Sequence, residues 1–538
     1  MPLISSIVSL KTPFISYDLI YFIENQSITI DQNSSYLEFQ YLIMSQTVAI
    51  RLIKSMSKSE KRHFKLQTKK QAGNKDYLNL FDLIDQQATI DIDEIRQQFA
   101  RHHPGVSLNN TARYLVKLIT DCLIQSKIEK DVQFQLMQQL MRVKILKERS
   151  LPEEGFKELK KIRESAVYSQ QHYIQYFTYR YELDYFSDHN FQELTDIELI
   201  ELQMKAKHTL KTINHIQEHH SLLELLKYRL VHQGRVLSED DKKQLNDLML
   251  SEMIIMAGKT QNSLAAQKLH LMFQSFFFTN IGDYQSALKT FHELNRLFEQ
   301  NLDLLSNPPM DYLTALSGIL DSLHTLGNSE EMAFYINKVK SLDTPAYPEY
   351  FRYMALKIVA ANELAILIKE ARFEDAVVYA ESLPSGFLSA YNMVDEEKQW
   401  ELYFYCSLSY FRMNNPKKAH KLIREIMDMN PPHPQLPIYK AVRLLNIIIY
   451  YEQEEGEYLE YEIRSYKRFF QQKTRLLKSE KLLFKIILSR SVRKLKDRMA
   501  DPSVIQQARL ISKDKYEKQV LKYFDFVEWI IGKMKTNP

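Results

Sequence analysis

The sequence predicts an all-α fold, a solenoid of stacked helical hairpins, and three observations carry that prediction. The first is a turn signal that returns between helical segments. The breaks fall at Glu154-Gly155-Phe156, His189-Asn190-Phe191, Gly234, Gly282-Asp283-Tyr284, Gly327-Asn328-Ser329, Ala371-Arg372-Phe373, Asn414-Asn415-Pro416, Gly456-Glu457-Tyr458 and Asp501-Pro502-Ser503. From Gly234 onward they are spaced by 48, 45, 44, 43, 42 and 45 residues. A near-fixed period of this size marks stacked helical repeats. The second is the scarcity of helix breakers: 11 glycines and 16 prolines in 538 residues. Phosphate-cradling loops and doubly wound sheets need more glycine than this. The third is the prevalence of Leu, Lys, Glu, Gln and Met, all good helix formers.

The elements follow in order. Residues 1–43 differ from the remainder: Lys11 is the sole basic residue before Arg51, and no helical period is sustained. The segment reads either as an extension ahead of a natural start at Met44 or as a poorly ordered arm. Residues 44–130 read as a helical cap. Ser57 or Ser59 is placed to cap a helix through Lys70, and Asp76 a helix from Tyr77 to Gln87. Asp91 starts a short helix that His103-Pro104-Gly105 ends. Ser107 then opens a longer one with Leu108, Ala112, Leu115, Leu118, Ile119 and Leu123 as its apolar stripe. Residues 131–538 form the repeat region. Each repeat contacts only its neighbours, so this length need not divide into several globular domains.

Two units carry a resemblance to a known family. In one, Leu271, Ser275 and Phe278 precede Gly282-Asp283-Tyr284, followed by Ala287, Phe291 and Leu294. In the other, Tyr403, Ser407 and Tyr410 precede Asn414-Asn415-Pro416, followed by Ala419, Ile423, Ile426 and Pro431. These resemble tetratricopeptide repeats, in which small residues let paired helices approach and an aromatic fills the space between them. Ser275, Ala287, Ser407 and Ala419 match the small positions, whereas Leu320 and Leu364 stand where a small residue is expected. The period is also longer than the family's. The resemblance implies a non-catalytic scaffold that grips a peptide or protein. It places the partner groove on Met272, Phe276, Phe404 and Phe411. The stretch Lys58-Ser59-Glu60-Lys61-Arg62-His63-Phe64-Lys65, with Asp76-Tyr77-Leu78, is also similar to an uncharacterised group of bacterial helical-repeat proteins.

Charge is unevenly placed. The net charge is +4, yet residues 464–498 hold thirteen Lys or Arg against Glu480 and Asp497, and residues 51–75 hold nine against Glu60. Arg464, Lys467, Arg468, Arg475 and Lys478 fall on one face of the predicted helix, with Ile463, Tyr466, Phe470 and Leu477 on the other. The basic face reads as a surface for an acidic partner, nucleic acid included, or as a solvated face whose basic stems cover apolar surface. An alternative function follows: a regulator linked to nucleic acid or a signalling ligand, with the basic N-terminal block or this face as effector. In that reading residues 107–113 act as an exposed recognition helix.

Catalytic signals are thin. His215-Ile216-Gln217-Glu218-His219 spells H-x-x-E-H, the inverted zinc-peptidase pattern, with Glu293 as a conceivable third ligand. Those peptidases are α/β folds, so the pattern is expected to be an ordinary polar helical run. His102-His103 reads as a turn. Cys122 and Cys406 show no metal or disulfide spacing, and Cys406 is expected in the core. Phe276-Phe277-Phe278 covers more than one helix face, either as a doubly buried helix or as a groove. No enzyme activity, cofactor or metal is expected. No run of eighteen apolar residues suits a membrane span, and no basic start suggests a secretory signal, so a cytoplasmic protein is expected.

Overall fold

The computed structural model describes residues 46–69, 76–87, 91–192, 194–257, 263–306, 308–384, 386–388, 396–428, 436–473, 476–490 and 502–536. Among the described residues every regular element is helical. The readings placed on residues 1–43, on Arg475 and on Asp501 lie outside them. Two compact units divide between Gln125 and Ser126.

In the first unit residues 46–55 are helical and precede α1 (Lys58–Lys69), α2 (Asp76–Gln86), α3 (Ile92–His102) and most of α4 (Leu108–Ile128). Ser57 caps α1, accepting from the Glu60 amide at 3.2 Å while the Glu60 carboxylate accepts from the Ser57 amide at 2.7 Å. That reciprocal pair is a capping box. Asp76 is the first residue of α2 and pairs with His103 at 2.7 Å. Asp91 caps α3 through the amides of Asp93 and Glu94. Phe64, Phe81, Phe99, Leu115 and Ile119 are buried in this unit's core. In residues 107–113, Thr111 and Ala112 are buried while Ser107, Asn110 and Arg113 are exposed.

The second unit is a solenoid-like succession of helices. It runs through α5 (Val132–Glu148), α6 (Pro152–Tyr168), α7 (His172–Asp188) and the 38-residue α8 (Asp196–Gln233). Next come α9 (Glu239–Lys243), α10 (Asn246–Ala257), α11 (Leu264–Asn280), α12 (Tyr284–Glu299), α13 (Met310–Leu326), α14 (Ser329–Lys340), α15 (Glu349–Lys369) and α16 (Phe373–Ser382). It ends with α17 (Glu396–Arg412), α18 (Pro416–Asp428), α19 (Pro437–Glu452), α20 (Gly456–Lys473), α21 (Lys478–Arg490), α22 (Pro502–Ile511), α23 (Lys515–Leu521) and α24 (Phe526–Thr536). Helices adjacent in sequence pack together through most of this run, α11 on α12, α12 on α13 and α17 on α18 among them.

Most of the expected breaks join the two helices of a hairpin, and their backbones explain why. Gly282 and Gly327 sit at φ of 77° and 86°, and Ala371 and Asn414 reach 57° and 56°. Asp283 and Asn328 then cap α12 and α14. Pro416 opens α18, where its missing N–H costs nothing. The Glu154-Gly155-Phe156 break is corrected. α6 runs through it, and the chain turns at Ser150, with φ of 61°. Gly155 is instead a close-approach residue: a methyl group there would lie 3.3 Å from the Val143 carbonyl oxygen of α5. The small positions of the two resembling units are buried, Ser275, Ala287, Ser407 and Ala419 each at 0% exposure. Ser407 Oγ donates to the Ala419 carbonyl at 2.8 Å, tying α17 to α18. Leu320 and Leu364 are core residues as well.

Candidate functional site

The first helices of successive hairpins, α11, α13, α15 and α17, together with the end of α8, wall a cavity of about 580 Å³. Its walls are apolar, with Leu230, Phe276, Phe291, Leu313, Met354 and Ile358. Gly318 shapes one wall, since a methyl group on it would lie 2.2 Å from the Phe291 ring. Arg235, Asp321, Glu397, Lys398 and Glu401 add charge to this lining.

Arg235 leaves the end of α8 through Gly234, whose φ of 86° turns the chain. Its Nη2 donates to both Glu397 oxygens, at 2.5 and 2.8 Å. Lys398 pairs with Glu401 at 2.6 Å. Asp321 of α13 pairs with Lys522, at 2.5 Å. Tyr523 follows Lys522, and its hydroxyl lies 3.3 Å from Glu397 and from Glu401. The C-terminal segment is therefore built into the site. Gln519 of α23 donates to the carbonyls of Val236 and Asn280, at 2.7 and 3.3 Å. A methyl group at Gly282 would sit 2.8 Å from the Lys515 carbonyl oxygen.

Burial alone would push Arg235, Lys398 and Lys522 down, but opposite charges outweigh it and hold all three above their ordinary values. The same burial would raise Asp321, yet Lys522 above all, with Lys398 and Arg235, holds it well below the usual carboxylate range. Burial does push the Glu401 carboxyl up. His324 on α13 is pulled down to about 4 by burial and then by Lys522, so it is neutral at pH 7. Among the described residues three buried polar atoms of this cluster have no hydrogen-bond partner: Arg235 Nη1, the Tyr284 hydroxyl and Gln519 Oε1. An unpaired buried donor on a charged group is costly unless something occupies it.

Of the four residues assigned to a partner groove, Phe276 lines the cavity, where Lys227 stands 5.4 Å from its ring. Met272 and Phe404 are buried at 6% and 0% exposure, and Phe411 is half-buried against the core. The charged members were not legible as a site. Arg235, Asp321, Glu397 and Lys522 are scattered over nearly 290 residues, and the sole local signal was the turn at Gly234.

The basic face is partly present. Arg464 and Arg468 are exposed, Lys467 lies 5.5 Å from the Phe484 ring, and Lys478 pairs with Asp514 at 3.1 Å. Ile463, Tyr466, Phe470 and Leu477 are buried beneath it. Tyr458 and Tyr461, both over 60% exposed, precede Arg464 and Arg468 at helical spacing on α20. Uncharged tyrosines leave no trace in the distribution of charge along the sequence.

His215 and His219 do share a face of α8, with ring centroids 4.8 Å apart, and His270 of α11 joins them. His270 bonds to the buried Glu252. Burial, then His215 and His270, pulls His219 down to about 4. Among the described residues no group of three His, Cys, Asp or Glu side chains is arranged to hold a metal ion. His102 bonds the Gln98 carbonyl at the end of α3, and His103 pairs with Asp76. Cys406 is 1% exposed and burial pushes its thiol up to about 12, so it stays protonated.

The fold and the cavity define a class, an all-α, solenoid-like protein with a half-open cavity among its helices. No family model matches the chain, and no curated protein matches it either. No helix among the described residues is long and apolar enough to cross a membrane.

Proposed function

We propose that this chain is a non-catalytic binding protein, tetratricopeptide-like in its hairpins, that holds a segment of a peptide or protein partner on its helical-repeat surface in the cytoplasm. One observation carries the reading: the cavity lies among the first helices of successive hairpins and includes Phe276. Apolar walls with a few convergent polar groups are the usual makeup of a binding site, and about 580 Å³ falls within the usual range. The charged groups favour binding over catalysis, because all three carboxylates are already paired with cations.

A photo-crosslinking residue at position 276 tests this reading. A partner crosslinked there in cells, and absent when the probe stands at exposed Tyr168, is the expected result. Equal labelling at both positions, or none at 276, ends it. A second reading, a regulator with an acidic or nucleic-acid partner, draws on the exposed Tyr458, Tyr461, Arg464 and Arg468 of α20. Aromatic and cationic side chains in one row suit single-stranded nucleic acid. Titration with short RNA at several salt concentrations separates the two readings, because phosphate binding weakens steeply with salt.

A further inference from the structure

We infer that α5 and α7 present a second docking surface, one for an amphipathic helix with acidic flanks. It lies apart from the cavity, to whose lining neither helix contributes. A surface helix ordinarily carries one apolar stripe. α5 carries two. Leu136 and Val143 are buried with Leu159 and Ile162 of α6, and the close approach at Gly155 fixes that edge. On the other side Phe134, Met137, Met141 and Ile145 recur at spacings of 3, 4 and 4 residues and are 37% to 58% exposed. At 1.5 Å per residue they extend over about 16 Å of helix. α7 packs on α6 and touches α5. Its Tyr173 and Phe177, 59% and 49% exposed, lie one turn apart on the side away from buried Thr178 and Glu182. Single exposed apolar side chains are ordinary, but six on two touching helices are the kind of surface that marks an interaction.

Charge selects the occupant. Arg142 and Lys144 are exposed and fall on opposite flanks of the α5 stripe. Neither pairs with a carboxylate among the described residues, and Arg142 bonds the Gln138 side chain at 3.4 Å. The carboxylates of α7 are already taken, Glu182 by Arg163, Asp184 by Arg180 and Asp188 by Lys147. α5 has one acidic residue, Glu148, at its last position. The rim of the surface is therefore cationic, and its complement is an apolar stripe bordered by Glu or Asp. A helix meets both demands at once. Its anchors at i, i+3, i+7 and i+11 match the spacing on α5, and its flanking positions reach Arg142 and Lys144. Met137 and Met141 adapt to the shape of the anchors. A second copy of the chain is a poor occupant, since a twofold axis would set the cations of both copies on one interface. Anionic lipid fits no better: it is recognised by clusters of about four to eight basic residues, whereas Arg142 and Lys144 are the unpaired cations of this rim.

The test is calorimetric titration of the full chain with two designed peptides of about 18 residues, long enough to hold a helix. Both carry leucine at i, i+3, i+7 and i+11. One has glutamate on both flanks of that stripe and the other has lysine. Binding of the glutamate peptide, at least about tenfold tighter than the lysine peptide, is expected, because one set of flanks pairs with Arg142 and Lys144 and the other opposes them. Arg142→Gln with Lys144→Gln should remove that preference and leave the apolar contact. Met141→Glu, at an exposed position, should abolish binding with helix content unchanged. Met137→Glu decides the matter if Met141→Glu fails to fold. Equal binding of the two peptides, binding that survives Met141→Glu, or no binding by either peptide would each overturn the inference. So would binding to phosphatidylserine vesicles, or a dimer in sedimentation, that is lost in Met141→Glu, because the face would then belong to lipid or to a second copy. Crosslinking at position 276 reports on the cavity and is independent of these outcomes.

Discussion

Two clusters of buried charge in the second unit were built differently. The cluster at α19, α20 and α21 is closed. Lys440 and Glu480 are 1% and 0% exposed and pair at 2.9 Å, while Glu480 also accepts from the Tyr466 hydroxyl and the Leu477 amide. The cluster around Arg235 borders a cavity and leaves Nη1 without a partner. Arg443 shows the contrast within one residue type, since it shares its donors between Glu462 at 2.7 Å and Ser465 at 3.2 Å. A closed network fixes how helices meet. The one at Arg235 leaves buried polar atoms unpaired.

The largest effect is expected in the closed cluster. Glu480→Leu takes the carboxylate partner from buried Lys440 and should cost about 3–5 kcal/mol in denaturant unfolding. Arg235→Met should cost about 2 kcal/mol, because Glu397 is 18% exposed and keeps the Tyr523 hydroxyl. Equal losses in the two variants would mean that the Arg235 cluster is structural in the same sense as the closed one, and the comparison would collapse.

Ala419→Phe calibrates both against a purely apolar contact. It overpacks the α17–α18 interface and should cost about 1–3 kcal/mol. A harmless replacement would show that this hairpin tolerates slack that its 0% exposure denies.

Acid should loosen the open cluster first. His324 has its folded value lowered from 6.5 to about 4. Its contribution is therefore fully present above pH 6.5 and is lost as pH falls through about 4. The raised Glu401 works in the opposite direction, because its protonation is easier in the folded state. It acts near and above the usual carboxylate range, so the fall in stability attributable to His324 is isolated by comparison with His324→Gln. Hydrogen exchange in α13 and α23 should rise between pH 6.5 and 5 in the wild type and stay flatter in that variant. Faster exchange in α19 and α20 before α13 would reverse the comparison.

The smallest effect on stability is expected at the surface. Replacing Arg464, Lys467, Arg468 and Lys478 with Gln should change stability by less than about 0.5 kcal/mol. The same variant should lose any affinity for RNA or an acidic protein. Retained affinity would take this face out of the functional account.

The sequence by itself determined the helices, the hairpin turns and the small contacts between paired helices. These depend on residues near one another in the chain: Gly327 supplies a left-handed turn, Asn328 caps the next helix, and Ala419 lies twelve residues after Ser407. Where a signal admitted two local uses, sequence alone chose wrongly. Gly155 allows either a turn or a close approach, and only the packing of α6 on α5 selects the approach. The candidate site belongs to tertiary structure. Arg235 finds Glu397 162 residues away, and Lys522 finds Asp321 at a separation of 201. A lone Arg or Asp in a helical sequence is ordinarily a solvated residue. Burial, and with it the value of each charge, came from stacking the repeats and from the return of the C-terminal segment onto them.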